Sequence, residues 1–576
     1  MSNTKEIITI QIGHYSNFVG THWWNLQEAS FCYDASKVPE LEINHDVQFR
    51  EGKTLRGHTT YTPRLLAIDT KGSLKTLKQT GTLYDISHTK PSSEWGGNID
   101  IFKSEPERRN EFLKQIEKNQ RSCYKDTECC VNFDEEKDTC QAKFSSAVPE
   151  TASSEEFGLK TYNLDNGVEV WSDFLKTQFH SRSICLIDEY FHDSEQDPFD
   201  LFGLGVQVMS SENYCDEVEN RLRLFSEECD FLQGFNILLD GYNGFSGVAA
   251  GILNLLNDDY RNQVKFCCPL YQPEYKILGN MSQREEVHRL FSSILCFENL
   301  AENSSLFCPM SLGTNLISSS SEPLSFPHLN YNPTLPYHTS AIITSALDTI
   351  TLPLRHRKNA VHMVDTINTL NILGRKMATF SLCLPVSLPE ESYLSDIWLP
   401  SKNKKSIHLQ SLLPNCDIYG FKTASETIVL RGIPSYLTYR PSFPSHQQTT
   451  REELLSFYLN QWYPCPMSII NTLNEPCKVT VPFPHIFKPE ITSEGFLSSK
   501  VRRAHQSVEN VPVMAGLHSS NNISRLLEEI VQEASRRNIY KYHRCWETGS
   551  EPDDLTEALH NLETLAMNFS DRNEIS

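Results

Sequence analysis

Gly241 to Gly247 read GYNGFSG, three glycines and a serine between an apolar run and a predicted helix. A helix start carries bare backbone N–H groups, and glycines let other atoms come close to them. Gly241, Gly244, Ser246 and Gly247 are therefore candidate phosphate contacts. Tyr242 and Phe245 interrupt the pattern. A bulky side chain there takes the space of a phosphate, and Phe245 suits a left-handed backbone poorly where Asn243 suits it well. Two uses stay open: an altered nucleotide cradle, or only a tight strand-to-helix turn. The second is the expectation.

Other groups carry less. Asp69 and Asp240 each end an apolar run, where an aspartate caps a turn more often than it holds a metal. Cys123, Cys129, Cys130 and Cys140 lie within CYKDTECCVNFDEEKDTC. Four thiolates can hold zinc, but the paired C-x-x-C spacing is absent. A polar acidic loop with incidental cysteines fits better than a zinc-dependent regulator, and no metal site is expected.

The chain has 576 residues, room for roughly three to four domains. It is 39% hydrophobic and 22% charged, as a folded protein is. A net charge of -21 repels phosphodiesters and anionic lipid, so a nucleic-acid partner is not expected. No run of about 18 apolar residues occurs, which argues against a transmembrane span. The opening MSNTKEIITIQIG reads as a strand and not as a targeting presequence. The 17 cysteines are odd in number, and several sit in apolar runs, as reduced buried thiols do. A cytoplasmic protein is expected.

Elements must position these residues. Alternating Ile8, Ile10 and Ile12 mark a first strand; GHYSN then turns the chain into a helix capped by Ser16 or Asn17. PRLLAID, SICLID, FNILLD and VKFCCPL read as further strands, separated by helical stretches. Such alternation predicts an α/β fold with a parallel sheet covered on both faces, and ligands bind at the C-terminal ends of its strands. We divide the chain into 1–335 with a polar insertion at about 72–159, a central helix at 336–357, a mixed α/β domain at 358–515 and terminal helices at 516–576. MATFSLCLPV, TIVLRG, CKVTV and VPVMAGL supply strands of the mixed domain. No internal repeat is present.

Several stretches carry a family resemblance. EIITIQIGHYSNFVG, PRLLAIDTKGS, CDFLQGFNILLDGYNGFSG and LHSSNNISRLLEEIVQEASRR resemble, in order, stretches of tubulin. YHTSAIITSALDTITLPLR, IVLRGI and PFPHIF are closer to the Misato family, a divergent tubulin-like branch. That resemblance implies a tubulin-like fold and a cytoplasmic protein peripherally attached to the mitochondrial outer surface through a protein partner. It also implies a role in mitochondrial distribution and morphology, with a link to microtubules and cell division. By the same resemblance Gly13, His14, Tyr15, Ser16, Asp69, Gly241, Gly244, Ser246 and Gly247 fall where tubulin holds GTP and magnesium. The match is degenerate. His14, Tyr15 and Ser16 stand where tubulin has Gln, Cys and Gly, and Lys71 lies near the place of an acidic residue. DPFDLFGLG lacks the tubulin G-A-G-N-N loop, and LRHRKNAVHM carries no carboxylate before Asp365. We expect no enzyme and no cofactor, with GTP and magnesium binding as the alternative.

Overall fold

The computed structural model describes all residues except 1–4, 33–41, 54–58, 82–108, 117, 119–161, 163, 274–281, 318–320, 399–406, 417–422, 441–449, 504–505 and 571–576. The four cysteines from Cys123 to Cys140, and most of the 72–159 insertion, lie outside the described residues. Within that insertion a short helix spans 111–116, and its Phe112 is buried in the main core.

The first sheet is built on β1 (Ile7–Ile12), whose six residues are all buried. A strand buried on both faces, its Thr9 and Gln11 included, needs cover on both faces, as in a parallel sheet. Helix α1 (His14–Ala29) follows directly. β2 (Phe49–Lys53) and β3 (Thr59–Pro63) form an antiparallel pair, and β4 (Leu65–Lys71) and β5 (Ile184–Phe191) return to the sheet. Next come α2 (Phe202–Ser210), α3 (Glu212–Glu227), β6 (Gly234–Asp240), α4 (Gly244–Asp259), β7 (Val264–Tyr271) and α5 (Gln283–Asn303). Short β8 (Leu306–Phe307) and β9 (Met310–Ser311) close this part. The strand order is β5-β4-β1-β6-β7-β8, with β9 also on β7, and every pairing is parallel. The order reverses around β1, so the loops after β1, β4 and β6 meet at one edge of the sheet.

The central helix α6 (Pro336–Thr351) is buried along almost its whole length and runs into a 3-10 turn, Leu352–Arg355. Pro336 occupies the first turn, where a missing N–H costs nothing. Then follow α7 (Met363–Leu370), β10 (Thr379–Cys383), α8 (Leu394–Trp398), β11 (Gln410–Ser411), β12 (Thr423–Arg431), α9 (Arg451–Trp462) and β13 (Met467–Leu473). β14 (Cys477–Lys478) and β15 (Asn510–Val511) pair only with each other, so CKVTV is a small separate ribbon and not a strand of the larger sheet. β16 (Val513–Ser520) completes the mixed sheet β11-β10-β16-β12-β13, in which only β12 and β13 are parallel. The chain ends in α10 (Ile523–Arg537), α11 (Arg544–Glu547) and α12 (Pro552–Phe569). Ile523, Leu526, Leu527 and Ile530 of α10, with Leu555, Leu562 and Phe569 of α12, join the core beneath α4 and α5. No helix among the described residues is long and apolar enough to cross a membrane.

A buried ion cluster joins the parts. Asp348 of α6 accepts from the Arg355 guanidinium at 2.6 Å, the Arg431 guanidinium of β12 at 2.5 Å and the Trp23 indole N–H of α1 at 3.1 Å. Burial opposes ionisation of Asp348, but the two guanidinium groups outweigh it and hold the carboxyl below its usual range. Removing one partner of a buried ion pair leaves an uncompensated charge and costs about 3–5 kcal/mol. We therefore expect Asp348→Ala to lower the melting temperature clearly in a thermal scan. An unchanged transition would show that the cluster does not hold the sheets together.

Candidate functional site

The converging loops place Gly13, His14, Tyr15, Ser16, Asp69, Asp240 and the GYNGFSG turn at one edge of the parallel sheet. Gly13 sits between β1 and α1 with φ 118, a backbone that side-chain-bearing residues rarely adopt. A Cβ on Gly13 would lie 2.5 Å from the Asp240 carboxyl carbon. That closeness has a cause. One Asp240 oxygen accepts the Tyr15 N–H at 3.1 Å and the other accepts the Ser16 N–H at 2.8 Å. The chain's own carboxylate thus occupies the anion position at the start of α1, where bare N–H groups favour negative charge. The expected side-chain cap by Ser16 or Asn17 does not form. The Ser16 hydroxyl donates to the Gly13 carbonyl, and the Asn17 amide donates to the Ile68 carbonyl and to Asp69.

Burial pushes the Asp240 carboxyl up to about 7, against the downward pull of the Ser16 and Tyr15 N–H groups. Tyr15 itself points into the core, and its hydroxyl donates to Thr339 of α6 at 2.9 Å.

Asp69 is equally engaged. One of its oxygens meets the Trp171 indole N–H at 2.8 Å, the His14 ring Nδ1 at 3.1 Å and the Asn17 amide at 3.2 Å. The other accepts the Thr70 N–H at 2.8 Å. Burial alone would raise its pKa, but His14 beside it outweighs burial and keeps the carboxyl ionised. The same contact raises the His14 pKa in spite of burial.

The GYNGFSG turn pairs most of its N–H groups within the protein itself. The N–H groups of Gly241, Gly244, Phe245 and Ser246 donate to the Leu270 carbonyl, the Phe199 carbonyl, the Asn243 side chain and the Asn243 carbonyl. The Ser246 hydroxyl donates to the Asn243 carbonyl at 2.5 Å. No residue of this stretch has a positive φ. The expected left-handed strain at Phe245 is absent, because Phe245 lies in the first turn of α4 with Asn243 as its cap. Its ring packs edge-on against Phe199 with centroids 5.1 Å apart. Gly247 serves packing: a Cβ there would lie 1.9 Å from the Phe202 carbonyl oxygen of α2. A phosphate brought to the start of α1 would meet the Asp240 carboxylate, which already holds the Tyr15 and Ser16 N–H groups.

Two features carry no signal in the linear sequence. His192, one residue past β5, stacks on His14 with ring centroids 3.9 Å apart. Only its place at the C-terminal end of a strand marks it. In the mixed sheet, Ser381, His518 and Glu426 line up at 2.7 and 3.1 Å like a hydrolytic triad. All three are buried, and Ser468 also donates to Glu426, so the row cross-links β10, β16, β12 and β13.

Comparison with known proteins follows the same outline. Residues 5–118 match the Misato Segment II tubulin-like domain, and residues 162–356 match a tubulin domain. The chain is 35% identical over 580 residues to Protein misato homolog 1 of Homo sapiens, covering 98% of this chain and 97% of the relative. The same protein of Bos taurus is 34% identical, again over 98% of this chain and 97% of the relative. Protein misato of Drosophila melanogaster is 29% identical over 98% of both chains. The chain belongs to the Misato family. Its parallel sheet, central helix and mixed sheet are therefore the tubulin-like fold as this Misato-family chain builds it.

The buried Asp240 gives a pH test. Its folded pKa of about 7 lies above the ordinary aspartate value of 3.8, so the folded state holds the extra proton between these values. That contribution is complete below about pH 4 and is lost as the pH rises through 7. Asp240→Asn keeps an acceptor without the charge, so its stability relative to the parent should rise between pH 5 and pH 8 in parallel melting curves. Asp240→Ala leaves two N–H groups unpaired, at a cost on the order of 1–3 kcal/mol each, and should be destabilised at both pH values.

Proposed function

We propose that this chain is a non-enzymatic, tubulin-like regulator of mitochondrial distribution and morphology. It works from the cytoplasm, attached peripherally to the mitochondrial outer surface through a protein partner, with a link to microtubules and the spindle. Membership of the Misato family supports the biological role. The observation that supports a non-enzymatic mechanism is the Asp240 carboxylate held by the Tyr15 and Ser16 N–H groups. A phosphate brought to this helix start would meet a carboxylate where a nucleotide-binding loop offers open donors.

The fold then acts by its surface. Helix, sheet and loop positions keep the tubulin-like shape, while internal hydrogen bonds substitute for a ligand. A net charge of -21 gives no attraction to anionic lipid, which favours recruitment by protein over direct lipid binding.

A second function, GTP binding with or without hydrolysis, has specific support. Gly241, Ser246, Gly247 and Asp69 persist and gather with Gly13 at one sheet edge. Replacing Phe245 with glycine separates the two. If the turn is structural, Phe245→Gly removes a buried ring at about 3–5 kcal/mol and creates no affinity for GTP. If the turn holds nucleotide, the same change clears space and tightens GTP binding.

The cellular role has its own test. Depleting the protein should collapse or scatter the mitochondrial network, and the full chain should restore it. The tagged chain on isolated mitochondria should be released by high salt or carbonate. A normal network after depletion, or retention after carbonate, would contradict the proposal.

A further inference from the structure

Among the described residues, His14, Asp69 and His192 place one ligand atom each within 4.8 Å of one another. They come from the start of α1, the end of β4 and the residue after β5. We propose that these three side chains form a binding site for a zinc-like divalent transition metal, with two imidazole nitrogens and one carboxylate oxygen as ligands.

The donor set decides the class of ion. Magnesium and calcium take oxygen ligands, whereas two imidazoles and a carboxylate suit zinc and its neighbours. Ligating carboxylates are held by outer hydrogen bonds, and Asp69 has them in place from Trp171, Asn17 and Thr70. The Trp171 indole is buried and donates to the Asp69 oxygen that faces His14. The two histidine side chains are 20% and 21% exposed, so an ion can enter and keep a position open to water.

The surrounding charges also favour a cation. Asp193 lies 3.4 Å from the His192 ring, and Asp240 lies close behind Gly13. Lys75 is the opposing charge near His192, and it pairs with Glu169. The ion would take the place of the proton on the His14 nitrogen that faces Asp69 at 3.1 Å. That proton leaves to solvent, so binding weakens as the pH falls. The inference does not depend on the mitochondrial role or on the state of the GYNGFSG turn.

The test uses the purified full chain, stripped with a chelator and titrated with zinc in a calorimeter. Cobalt absorption reports the ligand type in parallel. The chain also holds Cys123, Cys129, Cys130 and Cys140, so the titration is repeated with these four changed to serine. We expect one equivalent to bind in both proteins, with no thiolate charge-transfer band from cobalt. His192→Ala should weaken binding at least tenfold while leaving the metal-free melting temperature near that of the parent. His14→Ala should do the same; if it fails to fold, His192→Ala alone decides. Absence of stoichiometric binding, loss of binding in the serine variant, or unchanged affinity in His192→Ala would each overturn the proposal.

Discussion

The start of helix α1 is fixed by Asp240, a carboxylate supplied by the end of a neighbouring strand. Its two oxygens take the Tyr15 and Ser16 N–H groups, and Gly13 is forced into a backbone that leaves room for it. The consequence reaches beyond the loop. Once α1 is seated, Val19 offers its carbonyl to Thr344, the His22 ring meets the Tyr337 carbonyl, and Trp23 reaches Asp348. Burial lowers the His22 pKa to about 3, so the ring is neutral and its N–H donates to that carbonyl. The central helix is thereby set against the parallel sheet, and through Arg431 against the mixed sheet. Seating α1 thus sets the central helix, which in turn packs against β10, β12 and β16 of the mixed sheet.

The same economy appears in the glycine-rich turn. A glycine pattern is commonly taken as a sign of close approach by a ligand, yet close approach by the chain's own backbone has the same requirement. Gly247 admits the carbonyl of Phe202, and α2 crosses α4 there. The rings of Phe245 and Phe199 fill the neighbouring space. Glycines can therefore be required by packing alone, which is why counting them does not decide function.

This explains what the sequence could and could not reveal. Alternating Ile8, Ile10 and Ile12 make Ile7–Ile12 legible as a strand, and the apolar run FNILLD makes Gly234–Asp240 legible as another. The amphipathic stripes of α10 and α12 were equally plain. Strand Met467–Leu473 was not, because it is a half-exposed sheet edge with a weak pattern. CKVTV reads like a strand of the larger sheet because a short strand does not announce its partner, which is the Asn510–Val511 pair. The site suffered most from long-range pairing. Asp240 reaches Ser16 across 224 residues, and Asp348 reaches Arg431 across 83. Local spacing contains no record of either pair, nor of His192 beside His14. The expected strain at Phe245 rested on assigning it a loop backbone, whereas the helix begins one residue earlier.

The central claim is that an internal carboxylate and internally paired N–H groups take the place of a nucleotide. Thermal unfolding of the unmodified protein with increasing GTP and magnesium tests it most directly. A ligand that binds only the folded state must raise stability by about 2.7 kcal/mol at a hundred times its dissociation constant. We predict a melting temperature that does not move up to millimolar GTP. A saturable, magnesium-dependent rise would contradict the account.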